Sequence, residues 1–233
     1  MTIAFKTEDL QQELRVFARL AESFLEPGES DRLVHLAEQL RWMRHHDTVH
    51  QWGISKDEPL RTRCSEGAYQ EGDEGHFNVA AHIATTWAIR PGNGGRRMVI
   101  NGNVSTTILL VHNHEDRLGL WRMDVGDARG PGCTFHVQIE GKWQQMPFPE
   151  KLDVPRLPTL VPTLGSVLEF VLFELFHHHW LKQVVGNKDP GAWLSLQRDL
   201  WLKHLAWQRE QALAAEFSPW ASIRQSHPDD IFG

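Results

Sequence analysis

The sequence predicts an α+β fold, in which an antiparallel meander sheet is packed by N-terminal and C-terminal helices on one of its faces. Apolar residues recur at helical spacing over the first 46 residues and again after residue 163, whereas the chain between them alternates apolar and polar residues. The links between the alternating segments are too short for crossover helices, which predicts antiparallel strand pairing. We therefore expect a single domain over 1–233.

The composition is that of a globular protein, with 233 residues, of which 41% are hydrophobic and 23% charged. A formal net charge of -6 does not favour nucleic acid as a partner, because a basic field is needed to hold a phosphate backbone. The first residues lack the apolar run of a signal peptide, and no apolar run approaches the roughly 20 residues that span a bilayer. We expect a cytoplasmic protein without a membrane partner.

The chain opens with two predicted amphipathic helices. Thr7 can cap the first helix, and Ser30 or Asp31 begins the second. Together they form a predicted helical hairpin over 1–46. Residues 47–75 are polar and irregular, which predicts a long loop.

The predicted antiparallel sheet occupies residues 76–148. Its first strand, Phe77–Ile89, has the most regular period of two in the chain. A Gly-rich turn follows that strand. Further strands are predicted over Met98–Ile100, Val104–Asn113, Leu118–Val125, Cys133–Glu140 and Trp143–Phe148.

Helices are predicted again over 163–217 and should cover the sheet. Ser166 and Glu169 have the spacing of a capping box, and the apolar helix that they begin runs to about Gly186. An Asp-Pro pair, Asp189 and Pro190, has the signature of a cap and first turn and begins the last long helix.

Four tryptophans lie in that last helical region. Trp193 and Trp201 follow the apolar stripe and are predicted to be core residues. Trp207 and Trp220 lie off the stripe, and aromatic residues are enriched at protein interfaces. We therefore expect a protein partner or self-association through this aromatic C-terminal helix.

Four polar residues are predicted to share the uncovered face of the sheet. Alternation places Arg122 and Asp124 on one side of their strand, and His136 and Gln138 on one side of the next. In a cleft, Arg122 would hold an anion, and Asp124 or His136 would transfer a proton. Gln138 would orient the ligand. The alternative is a solvated sheet face on which Arg122 pairs with a carboxylate.

Histidines elsewhere raise the question of a metal. His112 and His114 share one side of a strand, and His136 on a neighbouring strand could complete a three-imidazole zinc site. With 14 histidines in the chain such a cluster has little specificity, so we predict no metal and retain His112 and His114 as candidate ligand-binding residues. No P-loop or Gly-x-Gly-x-x-Gly fingerprint occurs, and we predict no cofactor.

The order of Leu118–Asp124, Phe135–Ile139, Val154–Thr159 and Val167–Leu172 resembles small uncharacterised bacterial families, some of them encoded in toxin–antitoxin pairs. Those families pair an Arg-x-Asp strand with a later histidine-bearing strand, and the resemblance covers about residues 104 to 185. They often carry a further histidine cluster in the link after the Arg-x-Asp strand, where this chain has none. The resemblance implies a bacterial cytoplasmic accessory protein of a stress or phage-defence operon.

Three functions follow from these patterns. The first is a non-catalytic binding or interaction protein of a bacterial toxin-like or defence system that uses the polar sheet face. The second is a metal-independent hydrolase or nuclease in which His136, Asp124 and Arg122 are catalytic. The third, least favoured, is a zinc-binding protein using the three histidines named above.

Overall fold

A computed structural model describes residues 3–65, 78–112, 116–126, 134–139, 157–159, 163–186 and 191–226 of the chain. The strands are β1 (Ala4–Lys6), β2 (His50–Ile54), β3 (Leu60–Arg61), β4 (Val79–Gly92), β5 (Arg97–His112), β6 (Asp116–Val125), β7 (Phe135–Ile139) and β8 (Leu157–Pro158). The helices are α1 (Thr7–Ala21), α2 (Glu29–Met43), α3 (Leu164–Phe176), α4 (His178–Gly186), α5 (Gly191–Leu213) and α6 (Pro219–Gln225), with a 3₁₀ turn at Glu22–Phe24.

The strands form one antiparallel sheet, and helices from both ends of the chain flank it, so the predicted α+β class is confirmed. Six strands follow each other in the order β2-β4-β5-β6-β7-β8, while β1 pairs with β5 and β3 with β4. The hairpin of β4 and β5 turns at Asn93, Gly94 and Gly95, whose positive φ angles of 49°, 64° and 80° suit Asn and Gly. The predicted Gly-rich turn lies at that point.

The predicted loop over 47–75 is wrong in its first part, because β2 and β3 lie within it and pair with β4. Trp52 and Ile54 are buried while Gln51 is exposed, so β2 has the period of two of a half-buried strand. The pattern is only five residues long and is interrupted by Gly53. That glycine lies against the Thr85 backbone, where an added Cβ would come 2.0 Å from the carbonyl oxygen.

Two further strand predictions differ from the structure. Residues 98–100 and 104–112, predicted as parts of two separate strands, belong to the single 16-residue strand β5, and residue 113 lies outside the described ranges. A register shift in β4 between Trp87 and Ile89 absorbs the irregular point, so pairing continues on both sides of it. The predicted strand Trp143–Phe148 lies outside the described residues.

The helix ends also differ in detail. Thr7 is not a cap but the first residue of α1, and its hydroxyl donates to the carbonyl oxygen of Gly95 at 2.9 Å. The second helix begins at Glu29, after Gly28 with a φ of 87°, close to the predicted start.

The predicted helix from Ser166 to Gly186 is interrupted at His177, whose φ of 42° separates α3 from α4. The N-cap of α3 is Thr163, whose hydroxyl accepts from the Ser166 N–H at 3.1 Å. The predicted capping box of Ser166 and Glu169 is therefore wrong.

One hydrophobic core joins the helices to the sheet. At its centre, Phe17 of α1 contacts the rings of Trp180 on α4 and Trp193 on α5, with centroid distances of 5.5 and 5.2 Å. On the sheet side, Phe135 of β7 contacts Trp207 of α5 at 6.0 Å. Among the described helices, none has the length and apolar character that crossing a bilayer requires.

Candidate functional site

The predicted polar residues lie together on the sheet. The register of β6 with β7 sets Arg122 opposite Gln138 and Asp124 opposite His136. Because directly opposed residues of antiparallel strands point to the same face, all four belong to one face, as the alternation predicts.

Arg122 and Asp124 of this cluster pair with each other through Oδ2, whereas Oδ1 of Asp124 is buried and has no hydrogen-bond partner among the described residues. The Nε and Nη2 atoms of Arg122 donate to Oδ2 of Asp124 at 2.8 and 2.7 Å, and Nε2 of His136 lies 3.8 Å from that same oxygen. The side chains of Asp124 and His136 are 8% and 6% exposed, so the face is not the open, solvated one of the alternative. A catalytic carboxylate and imidazole need hydrogen-bond contact of roughly 2.6–3.2 Å, and here the guanidinium occupies the shared oxygen.

His112 does not join this cluster. In β5, Thr107 lies opposite Arg122, and His112 alternates with it on the side of Ile108 and Leu110, which face the core. His112 and His136 therefore do not converge as the least favoured alternative, a three-histidine zinc site, requires, and His114 lies outside the described residues. Within the described ranges, no group of three or more His, Cys, Asp or Glu could hold a metal ion. The sequence does not show which side of β5 faces the core, because apolar residues occupy both sides of that strand.

The opposite face of the same two strands borders a cavity of about 590 Å³. A volume of this size lies within the roughly 300–1,000 Å³ of small-molecule sites. The cavity lies between β6 and β7 on one side and α3 and α5 on the other, and most of its wall is apolar. Its apolar lining residues are Trp121, Met123, Val137, Ile139, Val167, Phe170, Phe173, Leu200 and Trp201.

A few polar residues interrupt that apolar wall, and two of them are titratable. Glu169 accepts a hydrogen bond from Trp193 Nε1 at 3.4 Å, and burial raises the pKa of its carboxyl. His204 is 1% exposed, and burial lowers the pKa of its imidazole to about 4. Neither ring nitrogen of His204 has a hydrogen-bond partner among the described residues. The cavity therefore contains a neutral imidazole whose hydrogen-bonding capacity is unused by that part of the chain.

A buried carboxylate lies behind the wall and ties three helices together. Oε1 of Glu13, on α1, accepts from Thr163 Oγ1 at 2.7 Å and from Gln197 Nε2 at 2.6 Å, and Gln197 itself lines the cavity. The pKa of Glu13 is raised to about 7, mainly by burial and to a smaller extent by the nearby charge of Glu169, against the lowering effect of these hydrogen bonds and of one from the Gly165 backbone. The network connects α1 to α3 and α5.

The start of α3 is shaped to receive this carboxylate. An added Cβ at Gly165 would lie 2.5 Å from Cδ of Glu13, so only glycine leaves the carboxylate room. The N-terminus of a helix favours a negative charge, because its free N–H groups and dipole point towards it. Gly165 and Glu13 therefore form one local unit.

Of the four tryptophan predictions, one is confirmed and two are wrong. Trp193 is 2% exposed, as predicted for a core residue, but Trp207 is also buried at 8% and Trp201 is 46% exposed. The predicted partner role of Trp207 and the predicted core role of Trp201 are wrong, and the side chain of Trp220 lies outside the described part of the chain. Helix α5 carries apolar residues on two sides, so the sequence alone does not show which side is buried.

Sequence reasoning missed Glu13, Gln197 and His204 because each of them interrupts an apolar helical stripe. Glu13 lies between Leu10 and Phe17 on α1, and Gln197 and His204 lie on the buried side of α5 with Trp193. A polar residue inside an apolar stripe was the available signal, since such a residue must find a partner when it is buried.

Comparison with other proteins gives this chain no neighbour. No family model, no curated protein and no solved structure matches it. Its function must be inferred from its own residues.

Proposed function

We propose that the protein is a non-catalytic binding protein that holds a small, largely apolar molecule in the cavity between β6, β7, α3 and α5. The observation that carries this proposal is a cavity of about 590 Å³ whose apolar wall contains a few polar groups. Small-molecule sites combine an apolar wall, which supplies affinity, with a few polar groups that orient the ligand. The sequence-based prediction of a binding protein is kept, and its site moves to the other face of the sheet.

The polar groups of the cavity support binding rather than turnover. A hydroxyl nucleophile needs a base within hydrogen-bond reach, and that base needs a third group to orient it. Ser166 instead donates to the carbonyl oxygen of its neighbour Thr163 at 2.9 Å. His204 packs against the rings of Phe135 and Trp207, but no described residue forms a hydrogen bond with its nitrogens that would orient it as a base.

Calorimetric titration with an uncharged apolar probe, 2-naphthol, tests this proposal. We expect saturable binding to the wild-type protein and its loss in Val137→Trp, which fills the cavity from β7. Gln138→Trp adds the same bulk to the opposite face of the strand and should bind like the wild type. Equal binding to both variants would place the ligand elsewhere.

A hydrolase or nuclease remains the second candidate, and the convergence of Arg122, Asp124 and His136 favours it. Chromogenic phosphodiester and carboxyl ester substrates, assayed with wild-type protein and His136→Asn, test it. Turnover by the wild type that is lost in a folded His136→Asn protein would establish the hydrolase or nuclease. It would also contradict the part of the binding proposal that describes the protein as non-catalytic.

Contact with another protein chain is a separate proposal, now placed on the outer side of α5. Four large apolar side chains of that helix are 46–60% exposed, and exposed apolar patches mark interaction sites. They are Leu194, Trp201, Leu202 and Leu205. A role in a toxin-like or defence system stays a prediction of the sequence resemblance.

A further inference from the structure

We propose that the molecule bound in the cavity is a hydrophobic organic cation, an amine whose ammonium group is held by Glu169 among aromatic rings. This inference rests on the proposed function and names the class of ligand that the cavity takes.

The charge of the wall is the first support. Among the described residues that line the cavity there is one carboxylate, Glu169, and no lysine or arginine. A second carboxylate, Glu13, lies close enough behind the wall for the two charges to repel each other. A carboxylic acid ligand would add a negative charge beside Glu169 and the partly ionised Glu13, whereas an ammonium group would be attracted by both.

Glu169 is available for such a partner. Its hydrogen bond from Trp193 Nε1 is long, at 3.4 Å, and comes from a neutral group. Burial raises the pKa of Glu169, and no described cation acts against that effect. A partly buried carboxylate in this position gains more from an ammonium group than from any neutral ligand, because charge-assisted hydrogen bonds are the stronger ones.

Aromatic rings surround the same space. Trp121 of β6 and Phe170 of α3 contact each other with centroids 5.8 Å apart and ring planes tilted by 50°, and Phe173 and Trp201 line the cavity with 46% of each residue exposed. The faces of such rings attract cations, most strongly where water is excluded. The wall therefore offers a cation a carboxylate together with several rings.

His204 is the independent sign of a ligand. It lines the cavity, is 1% exposed, and has two ring nitrogens that no described residue satisfies. Because burial lowers its pKa to about 4, the imidazole is neutral at pH 7 and does not repel a cation. Both nitrogens are buried, so a ring rotation that turns one of them into the cavity would let it accept an N–H or O–H hydrogen bond from the ligand.

Three probes with one ring system separate charge from apolar fit. The probes are 2-naphthylmethylamine, 2-naphthylmethanol and 2-naphthoic acid, titrated calorimetrically into wild-type protein at pH 7.5. We expect the amine to bind roughly tenfold more tightly than the alcohol, about the contribution of a partly desolvated cation in an aromatic site, and the acid to bind most weakly.

A matched pair of variants on α3 assigns the preference to its residue. Glu169→Gln should abolish the preference for the amine and leave alcohol binding unchanged. Glu174→Gln removes the same charge from the same helix at a position that does not line the cavity, and should keep the preference. Thermal melting of both variants confirms that they are folded, and the wild-type comparison stands even if Glu169→Gln is not.

The outcomes distinguish the two proposals. Equal affinity for the alcohol and the amine would overturn the cationic ligand and leave the proposed binding function intact. A folded Glu169→Gln protein that still prefers the amine would have the same consequence. Binding of none of the three probes would overturn both.

Discussion

The two faces of the β6–β7 pair carry different kinds of polar group. On one face, Arg122 and Asp124 share a hydrogen-bonded ion pair beside His136. On the other face, Glu169 and His204 border an apolar cavity, and the described residues give His204 no hydrogen-bond partner. The residues of the first set alternate along two neighbouring strands, whereas those of the second set come from two helices. On the first face, Oδ2 of Asp124 is paired with Arg122 while Oδ1 has no hydrogen-bond partner among the described residues; on the second face, both ring nitrogens of His204 lack one. A polar cluster that stands out in a sequence can therefore pair largely within itself, while a binding site leaves polar groups for the ligand.

The difference can be tested by removing one charge from the face that carries the Arg122–Asp124 ion pair. Arg122→Ala leaves the buried Asp124 carboxylate without its cation, and breaking such a pair costs about 3 kcal/mol of unfolding free energy, at the low end because Arg122 is partly exposed. Chemical denaturation measures the loss, and Arg198→Ala, at an exposed position on α5, should change stability little. Ligand binding in the cavity should survive. A large loss of binding in folded Arg122→Ala protein would mean that the two faces are not independent.

The network behind the cavity predicts a pH dependence of stability. The pKa of Glu13 is about 7 in the folded protein against an ordinary value of 4.5, so folding favours its protonated form. Its contribution to stability is fully present below pH 4.5 and is lost as the pH rises through about 7. At about 1.4 kcal/mol per pKa unit, the effect amounts to roughly 3–4 kcal/mol.

Glu13→Gln keeps an acceptor for Thr163 and Gln197 and removes the titration. We expect the variant to match the wild type near pH 4.5 and to exceed its stability increasingly up to pH 7, measured by denaturation at each pH. Glu8→Gln, at an exposed position of the same helix, is the control and should run parallel to the wild type. A pH-independent gap between Glu13→Gln and the wild type would contradict the buried titration.

The unused imidazole predicts a smaller effect of the opposite pH sign. His204→Phe keeps the ring and removes two buried nitrogens without hydrogen bonds in the described structure, which should raise stability at pH 7 by about 1–2 kcal/mol. The pKa of His204 is lowered to about 4, so its neutral form stabilises the wild type above pH 6.5 and this is lost as the pH falls through 4. The advantage of His204→Phe should therefore grow on acidification.

His178→Phe, at an exposed position, is the control for that measurement and should show no such growth. Destabilisation by His204→Phe at pH 7 would mean that the imidazole has a partner and is not held for a ligand.

The fold was predictable because its patterns are local. The period of two in β4 and the helical spacing of α1 need only their own residues to be recognised. The short strand β2 was missed because five residues interrupted by glycine carry too little pattern. Its pairing with the long β4 stabilises it, and that pairing is not visible in the segment itself.

The candidate site divides in the same way. The common face of Arg122 and His136 follows from alternation in two adjacent strands and was predictable. The contact of Glu13 with Gln197 joins residues 184 positions apart, and no local pattern connects them. The position of the cavity depends on which side of α5 is buried. Both sides of this helix carry apolar residues, so tertiary packing and not the local sequence determines the buried side.

The two sides of α5 give the smallest expected effect. Its buried side carries Trp193 and Trp207, and its outer side exposes Leu202 by 60%. If the outer side contacts a second copy of the chain, Leu202→Glu should lower the average mass measured by light scattering at high protein concentration without shifting the thermal melting temperature. Gln208→Glu adds the same charge on the same helix and should leave the mass unchanged. Equal masses for Leu202→Glu and wild type would contradict self-association through this side, since an exposed leucine with no contact to lose tolerates a charge.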